Sequence, residues 1–282
     1  MLRNFKIALS QFEFLRCFDT FWGSSLVDMI SALRHGPVGR TYEEDDEDEQ
    51  TSNFIDPADS LELNLSTDCV TAETIFFSLS FAAKPITNAL ITTYDFRNVG
   101  VAKYCVGKVV LAEVFHSESK NCFVVSVANQ VEDHLAPTFA SLFDKFQVRS
   151  IVIADSLSIA KYIGQGVEGA LRTVVTSSVG SHELLSSSAF VTSTAKLEIG
   201  NLVTGVAAAI LSHTEARQIP AVAFLVLSKV YVSVSVMKAF ALIAPLLQSL
   251  LGAENVALPT NATYNELLKR DPYVLRTENL YS

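Results

Sequence analysis

The run from Pro220 through Ala221, Val222, Ala223, Phe224, Leu225, Val226 and Leu227 constrains the fold more than any other stretch. It shows no alternation of polar and apolar residues. A strand that is apolar on both faces needs cover on both faces, as at the centre of a sheet with helices on each side. Ile151-Val152-Ile153-Ala154 is a shorter run of the same kind. Thr74 to Phe81 is a third strand candidate, rich in β-formers. Leu61, Leu63 and Leu65 alternate with Glu62 and Asn64, as on a half-buried strand. Val106 to Phe115, with Gly107 at a bend, and Cys122 to Val127 read as a hairpin, and Arg172 to Thr176 as a further strand.

Helical spacing provides the cover. Leu135, Phe139, Leu142, Phe143 and Phe146 predict a helix over 135–146, with Pro137 tolerated in its first turn. Leu202 to Ser212 and Val236 to Leu251 predict two more, the second stopping at Gly252. Asn265 to Lys269 predicts a short one before Pro272, and Ser177 to Ser188 reads as a Ser-rich loop. The expected fold class is α/β: a mixed β-sheet with helices packed on its faces. One domain spans 60–271, after an extension and acidic disordered segment at 1–59 and before a flexible tail at 272–282.

The mean hydropathy of +0.31 raises the question of a membrane span. The most apolar region, Ile219 to Leu251, contains Lys229 and Lys238, with Pro220 and Pro245 as breakers. No charge-free run reaches the roughly 20 residues a spanning helix needs, so no span is expected. The formal net charge is −9, and seven acidic residues sit in the run Glu43 to Glu49; removing them leaves −2. A nearly neutral folded part lacks the basic stripe that nucleic acid requires. The acidic run repels itself and reads as a solvated tail, with contact to a basic partner surface as the sharper alternative. Residues 1–28 carry scattered aromatics, Phe5 to Trp22, and part of this stretch can be an amphipathic helix. Cys17, Cys69, Cys105 and Cys122 are widely spread and form no metal-ligand spacing. Free thiols and the lack of a clean secretory signal fit a reducing compartment. That means the cytoplasm, with the nucleus and the endoplasmic reticulum surface as further places.

Chemistry-bearing motifs are few. Asp155 follows an apolar strand, where ligands sit in open α/β sheets. An α/β enzyme of nucleoside hydrolase or phosphorylase type, with its ligand near Asp155, is therefore the alternative reading. Gly164-x-Gly166-x-x-Gly169 has dinucleotide-fingerprint spacing but lacks a strand leading straight into it and the downstream acidic residue; it reads as a glycine-permitted turn. His35, His116, His134, His182 and His213 are isolated. His213 with Glu215 has acid/base chemistry but no nucleophile beside it. No catalytic residues, metal ligands or cofactor are expected.

The chain ends in Leu280, Tyr281 and Ser282. An apolar residue, a phenol and a terminal carboxylate suit C-terminal capture by a partner, against the plain reading of a frayed end. Glu278 to Tyr281 also repeats the start of a common protease-tag site, without the Phe-Gln that completes it.

Gly200-Asn201-Leu202-Val203, the helix with Ala207-Ala208-Ala209-Ile210-Leu211-Ser212, and Ile219-Pro220-Ala221-Val222 resemble the proteasome assembly chaperone 1 family. The likeness continues loosely through Lys238-Ala239-Phe240 to the tail, and the acidic segment belongs to the same pattern. It covers about the last 85 residues; over 61–198 only element order matches, and 1–28 depart from it. The resemblance implies a chaperone, not an enzyme. It implies heterodimerisation with a proteasome assembly chaperone 2-like subunit and binding to proteasome α-subunits. The α-ring would be assembled and off-pathway association prevented. Leu280 would fill an apolar site between α-subunits, Tyr281 would set the bend, and Ser282 would present its carboxylate to a lysine. Extended, the segment after Pro272 reaches roughly 30–35 Å.

Overall fold

The structure is a computed structural model that describes residues 60–67, 70–229, 233–252 and 258–269. Its strands are β1 (Leu61–Leu65), β2 (Thr71–Ser78), β3 (Arg97–Tyr104), β4 (Val110–Ser117), β5 (Cys122–Val127), β6 (Gln147–Ser158), β7 (Leu171–Val175) and β8 (Ala221–Ser228). They form one mixed sheet in the order β1-β3-β4-β5-β2-β6-β8-β7. The centre, β5-β2-β6-β8, is parallel. Every flanking pair, β1-β3, β3-β4, β4-β5 and β7-β8, is antiparallel.

The helices are α1 (Lys84–Thr93), α2 (Ala136–Ser141), α3 (Glu183–Ser187), α4 (Ala189–Ser193), α5 (Gly205–Ala216), α6 (Val234–Ala241), α7 (Ala244–Leu250) and α8 (Asn261–Leu268). They cover the sheet on two faces. Because side chains alternate along a strand, Phe76, Val152, Ala154, Val222, Phe224 and Val226 enter one core. There they meet Ile86 and Leu90 of α1, Leu185 of α3, Val191 of α4, Phe240 of α6, Leu247 of α7 and Tyr264 of α8. Ile75, Phe77, Ile151, Ile153, Ala223 and Leu225 enter the other, against Phe139 of α2, Ala207, Ile210 and Leu211 of α5, and Phe143 and Phe146. Edge-to-face rings tighten this second core: Phe77 on Phe143 at 5.0 Å and Phe123 on Phe146 at 4.7 Å between centroids. All of β8 is buried, as its unbroken apolar run requires. Among the described residues no helix is long and apolar enough to cross a membrane.

Several expected boundaries move. β2 stops at Ser78, and Phe81 lies in a 3-10 turn opened by Ser80, whose Oγ accepts from Ala82 N. The strand expected from Val106 begins at Val110; Val106 and Gly107 form the β3–β4 turn, where Gly107 and Lys108 take positive φ. The helix expected over 135–146 is confined to α2, after a 3-10 turn at Asp133–Leu135. The 236–251 helix is two helices, because Pro245 cannot donate to a continuing helix and sits in the first turn of α7. The Ser-rich loop contains a 3-10 turn, Ser177–Ser181, then α3 and most of α4's approach, with His182 and Ser188 as N-caps. α5 starts at Gly205 rather than Leu202, and α8 at Asn261 rather than Asn265. β6 runs to Ser158, so Asp155 is inside the strand and not at its end. α1 and β3 had no counterpart in the expected elements: the β-branched Ile86, Thr87, Ile91, Thr92 and Thr93 mask α1, and β3 is half-exposed with Gly100 inside it.

The segment 1–59, with its acidic run Glu43 to Glu49, and the tail with Leu280, Tyr281 and Ser282 lie outside the described residues.

Candidate functional site

Asp155 is half-buried in β6, paired in register with Leu225 of β8. Its Oδ1 accepts 2.7 Å from the N–H of Ser156. Withdrawal from water pushes its carboxyl up to about 7, against the opposing pull of that N–H. It sits toward the carboxyl ends of the parallel strands, where α/β folds place ligands. Ser156, its neighbour in the chain, supplies its hydrogen bond, and no nucleophile–base pair assembles there among the described residues.

The glycine-rich loop is a turn between strands. Gly164 and Gly169 take positive φ, and a Cβ on Gly166 would lie 2.7 Å from Tyr162 Cδ1 and 2.9 Å from Leu227 Cδ1. β7 follows the loop, where a dinucleotide site needs a helix N-terminus. Gly169 N donates to Leu227 O at 2.8 Å, and Leu227 N to Ala170 O at 2.9 Å, which ties the loop to β8.

His213 and Glu215 do not act together. His213 Nε2 contacts Asp144 Oδ1, which also receives Arg217 NH1 at 3.1 Å. Glu215 takes the Ser177 hydroxyl and the Ser177 N–H, the latter at 2.8 Å, and these bonds hold its carboxyl below the usual range. Beside them, at the amino ends of the strands, lies an open groove of about 500 Å³ lined by Thr71, Glu73, Asn121, Gln147, Arg149 and Arg217. Its arginines are paired within the chain, Arg149 with Glu73 at 3.6 Å and Arg217 with Asp144. His116 is buried against the Phe123 ring, and burial lowers its pKa. Burial pushes the Cys122 thiol up, while Cys105 is exposed. No group of three metal-ligating side chains occurs among the described residues.

The most distinctive surface is at the carboxyl edge of the sheet, where the loop after β6 meets the turn before α5. Ile163, Val167 and Leu202 are 64%, 72% and 76% exposed, and Ile199 is fully exposed. A polar staple ties the two loops together. Asn201 Oδ1 accepts from Ile163 N at 2.6 Å while its Nδ2 donates to Ile163 O at 3.0 Å. Arg172 Nε donates to Glu198 Oε1 at 2.9 Å and to the Tyr162 hydroxyl at 3.3 Å. The Tyr162–Glu198 contact, the largest influence on both, raises the phenol's pKa and lowers that of the carboxyl. Reading the chain did not single this surface out. Its one legible signal was an isolated aliphatic on each side of Gly200-Asn201, inside a turn.

No family model matches the sequence, and no curated protein matches it. Solved structures do match in fold. PbaB of Pyrococcus furiosus, described as an archaeal proteasome activator, aligns over 78% of this chain and 99% of its own, with 15% identity and a TM-score of 0.54. PbaA of the same organism, described as an archaeal homolog of proteasome-assembly chaperone, aligns over 78% and 96%, with 13% identity and a TM-score of 0.50. A Thermoplasma acidophilum protein of unknown function aligns over 77% and 90%, at 14% identity and a TM-score of 0.51. At these identities the likeness is one of fold.

Proposed function

We propose that the chain is a subunit of a proteasome assembly chaperone, working by binding and not by catalysis. The observation that carries this reading is the fold shared with PbaB across 99% of that protein. The PbaA likeness supports it, as does the resemblance of the α5–β8 unit to the chaperone family. In this reading the chain pairs with a related, proteasome assembly chaperone 2-like subunit and engages α-subunits of the core particle. It favours ring assembly over off-pathway association.

The tail Leu280-Tyr281-Ser282 supplies one contact. An exposed carboxylate–lysine pair contributes only about 0–1 kcal/mol, so affinity comes from tail and body acting together through raised effective concentration. The test is affinity capture of the full chain from its own cells, followed by mass spectrometry. Proteasome α-subunits and a second chaperone-like subunit are the expected partners; their absence overturns the reading. Deleting residues 280–282 weakens α-subunit capture and leaves thermal unfolding unchanged. Undiminished capture removes the tail from the mechanism and leaves the chaperone assignment standing.

A further inference from the structure

The chain treats the two edges of its sheet differently. At the β7 edge the segment after α4 adds its own main chain: Thr173 N donates to Ala195 O at 2.9 Å, and Leu197 N donates to Thr173 O at 2.9 Å. The other edge is β1, and among the described residues no strand pairs with its outer side. An uncovered edge strand is a template for another strand. β1 carries no Pro or Lys, the residues that commonly blunt such an edge.

The register says which main-chain groups face outward. Cys105 N donates to Ser60 O at 2.9 Å, and Ser66 N to Val99 O at 2.7 Å. With Leu61 opposite Tyr104 and Leu65 opposite Gly100, Glu62 and Asn64 therefore turn their main-chain groups toward β3, and Leu61, Leu63 and Leu65 turn theirs away. Gly100 permits the close approach, since a Cβ there would stand 2.2 Å from Asn64 O. Side chains alternate as well. Leu61 is buried in the second core, and Leu63 and Leu65 pack half-buried against it. Glu62 and Asn64 take the opposite face, where Lys103 Nζ meets Glu62 Oε1 at 2.8 Å.

This pattern is complementary to itself in an antiparallel pairing with a two-fold axis at Leu63. Leu63 then faces the partner's Leu63, and Leu61 faces the partner's Leu65. These are the residues whose outward groups can exchange main-chain hydrogen bonds. Leucine meets leucine on one face. On the other, Glu62 meets the partner's Asn64, so no like charges oppose each other. Shifting the register by two residues either way loses a leucine pair, and one of the two shifts sets Glu62 against the partner's Glu62.

We infer that β1 is the seam of a symmetric dimer, in which the β1 strands of two copies pair antiparallel through Leu61, Leu63 and Leu65. The inference rests on the sheet edge and not on the chaperone reading, and either can fail alone. Sedimentation velocity on the purified full chain, across a concentration series, tests it, and the expected result is a monomer–dimer equilibrium. Leu63→Pro removes an outward N–H without removing a bond to β3, and should raise the dissociation constant by about tenfold or more. Asn64→Lys faces the partner's Glu62 and should tighten the dimer about two- to tenfold, while Asn64→Glu should weaken it by a similar factor. The amides of Leu61, Leu63 and Leu65 should exchange quickly in the dilute monomer and slow as the dimer forms.

Circular dichroism melts check the folding of every variant. Asn64 is exposed, so its two variants carry the test if Leu63→Pro disturbs β1. A chain that stays monomeric at all concentrations overturns the proposal. So does a dimer indifferent to a folded Leu63→Pro, or a pair of Asn64 variants that fail to move the equilibrium in opposite directions. Slow exchange of the three leucine amides in the dilute monomer also overturns it, because the edge is then already paired.

Discussion

The parallel centre of the sheet and the ledge at its carboxyl edge are built from the same kinds of side chain. Phe224 and Leu225 on β8 are sealed between two helical layers, whereas Ile199 and Leu202 stand in water. In the centre, apolar burial holds the backbone. On the ledge the roles reverse: hydrogen bonds from Asn201 hold the Ile163 backbone, Arg172 ties the Glu198 and Tyr162 side chains, and the apolar groups stand exposed. Hydrophobicity alone therefore does not say what an aliphatic residue does in this chain. The layer that holds its backbone does.

The sharpest way to break this comparison is truncation in each region. Phe224→Ala empties a fully buried site and should cost about 3–5 kcal/mol in urea unfolding. Leu202→Ala should stay within about 0.5 kcal/mol. Equal costs would place the ledge inside the core's cooperative packing.

Asp155 places a carboxyl inside the centre and tests it through pH. Its folded pKa, about 7, lies above the usual carboxyl value. The folded state therefore holds its proton more tightly than the unfolded state. Relative to acid, stability declines as pH rises from about 4 through 7. Asp155→Asn keeps an acceptor for the Ser156 N–H and carries no charge. It should stabilise the protein by up to about 4 kcal/mol at pH 8 and by progressively less toward pH 4. A gain independent of pH would remove the buried charge as its cause.

A smaller effect than either change in the centre belongs to the staple. Asn201→Ala deletes both bonds to the Ile163 backbone and should cost only about 0.5–1.5 kcal/mol. Amide hydrogen exchange at Ile163 should nevertheless quicken while the amides of β8 keep their protection.

What could be read along the chain follows the same division. β8, β5 and β7 lie within a residue or two of their expected places, because unbroken or alternating apolar runs state their own burial. α1 escaped notice because a β-branched run lowers helix propensity, and only packing against the sheet makes it a helix. Pro245 could be read as a breaker, yet it divided the expected helix into α6 and α7 instead of capping one end. At the candidate sites the glycine spacing proved to be the turn it had suggested. His213 and Glu215 are close in sequence on α5 but take separate partners, Asp144 and Ser177, from other elements. The ledge joins Ile163 to Asn201, 38 positions apart, so no local pattern could announce it.

The sequence by itself determined that this chain needs a sheet covered on both faces, since the β8 run has no side that tolerates water. It also limited the available chemistry, with scattered histidines and cysteines and a single acidic residue after an apolar run. Only the tertiary structure decided the strand order and which loops meet at the carboxyl edge. Those outcomes depend on crossovers and on hydrogen bonds between residues distant in the chain. Local periodicity reports how a segment is buried, and not which segment lies beside it.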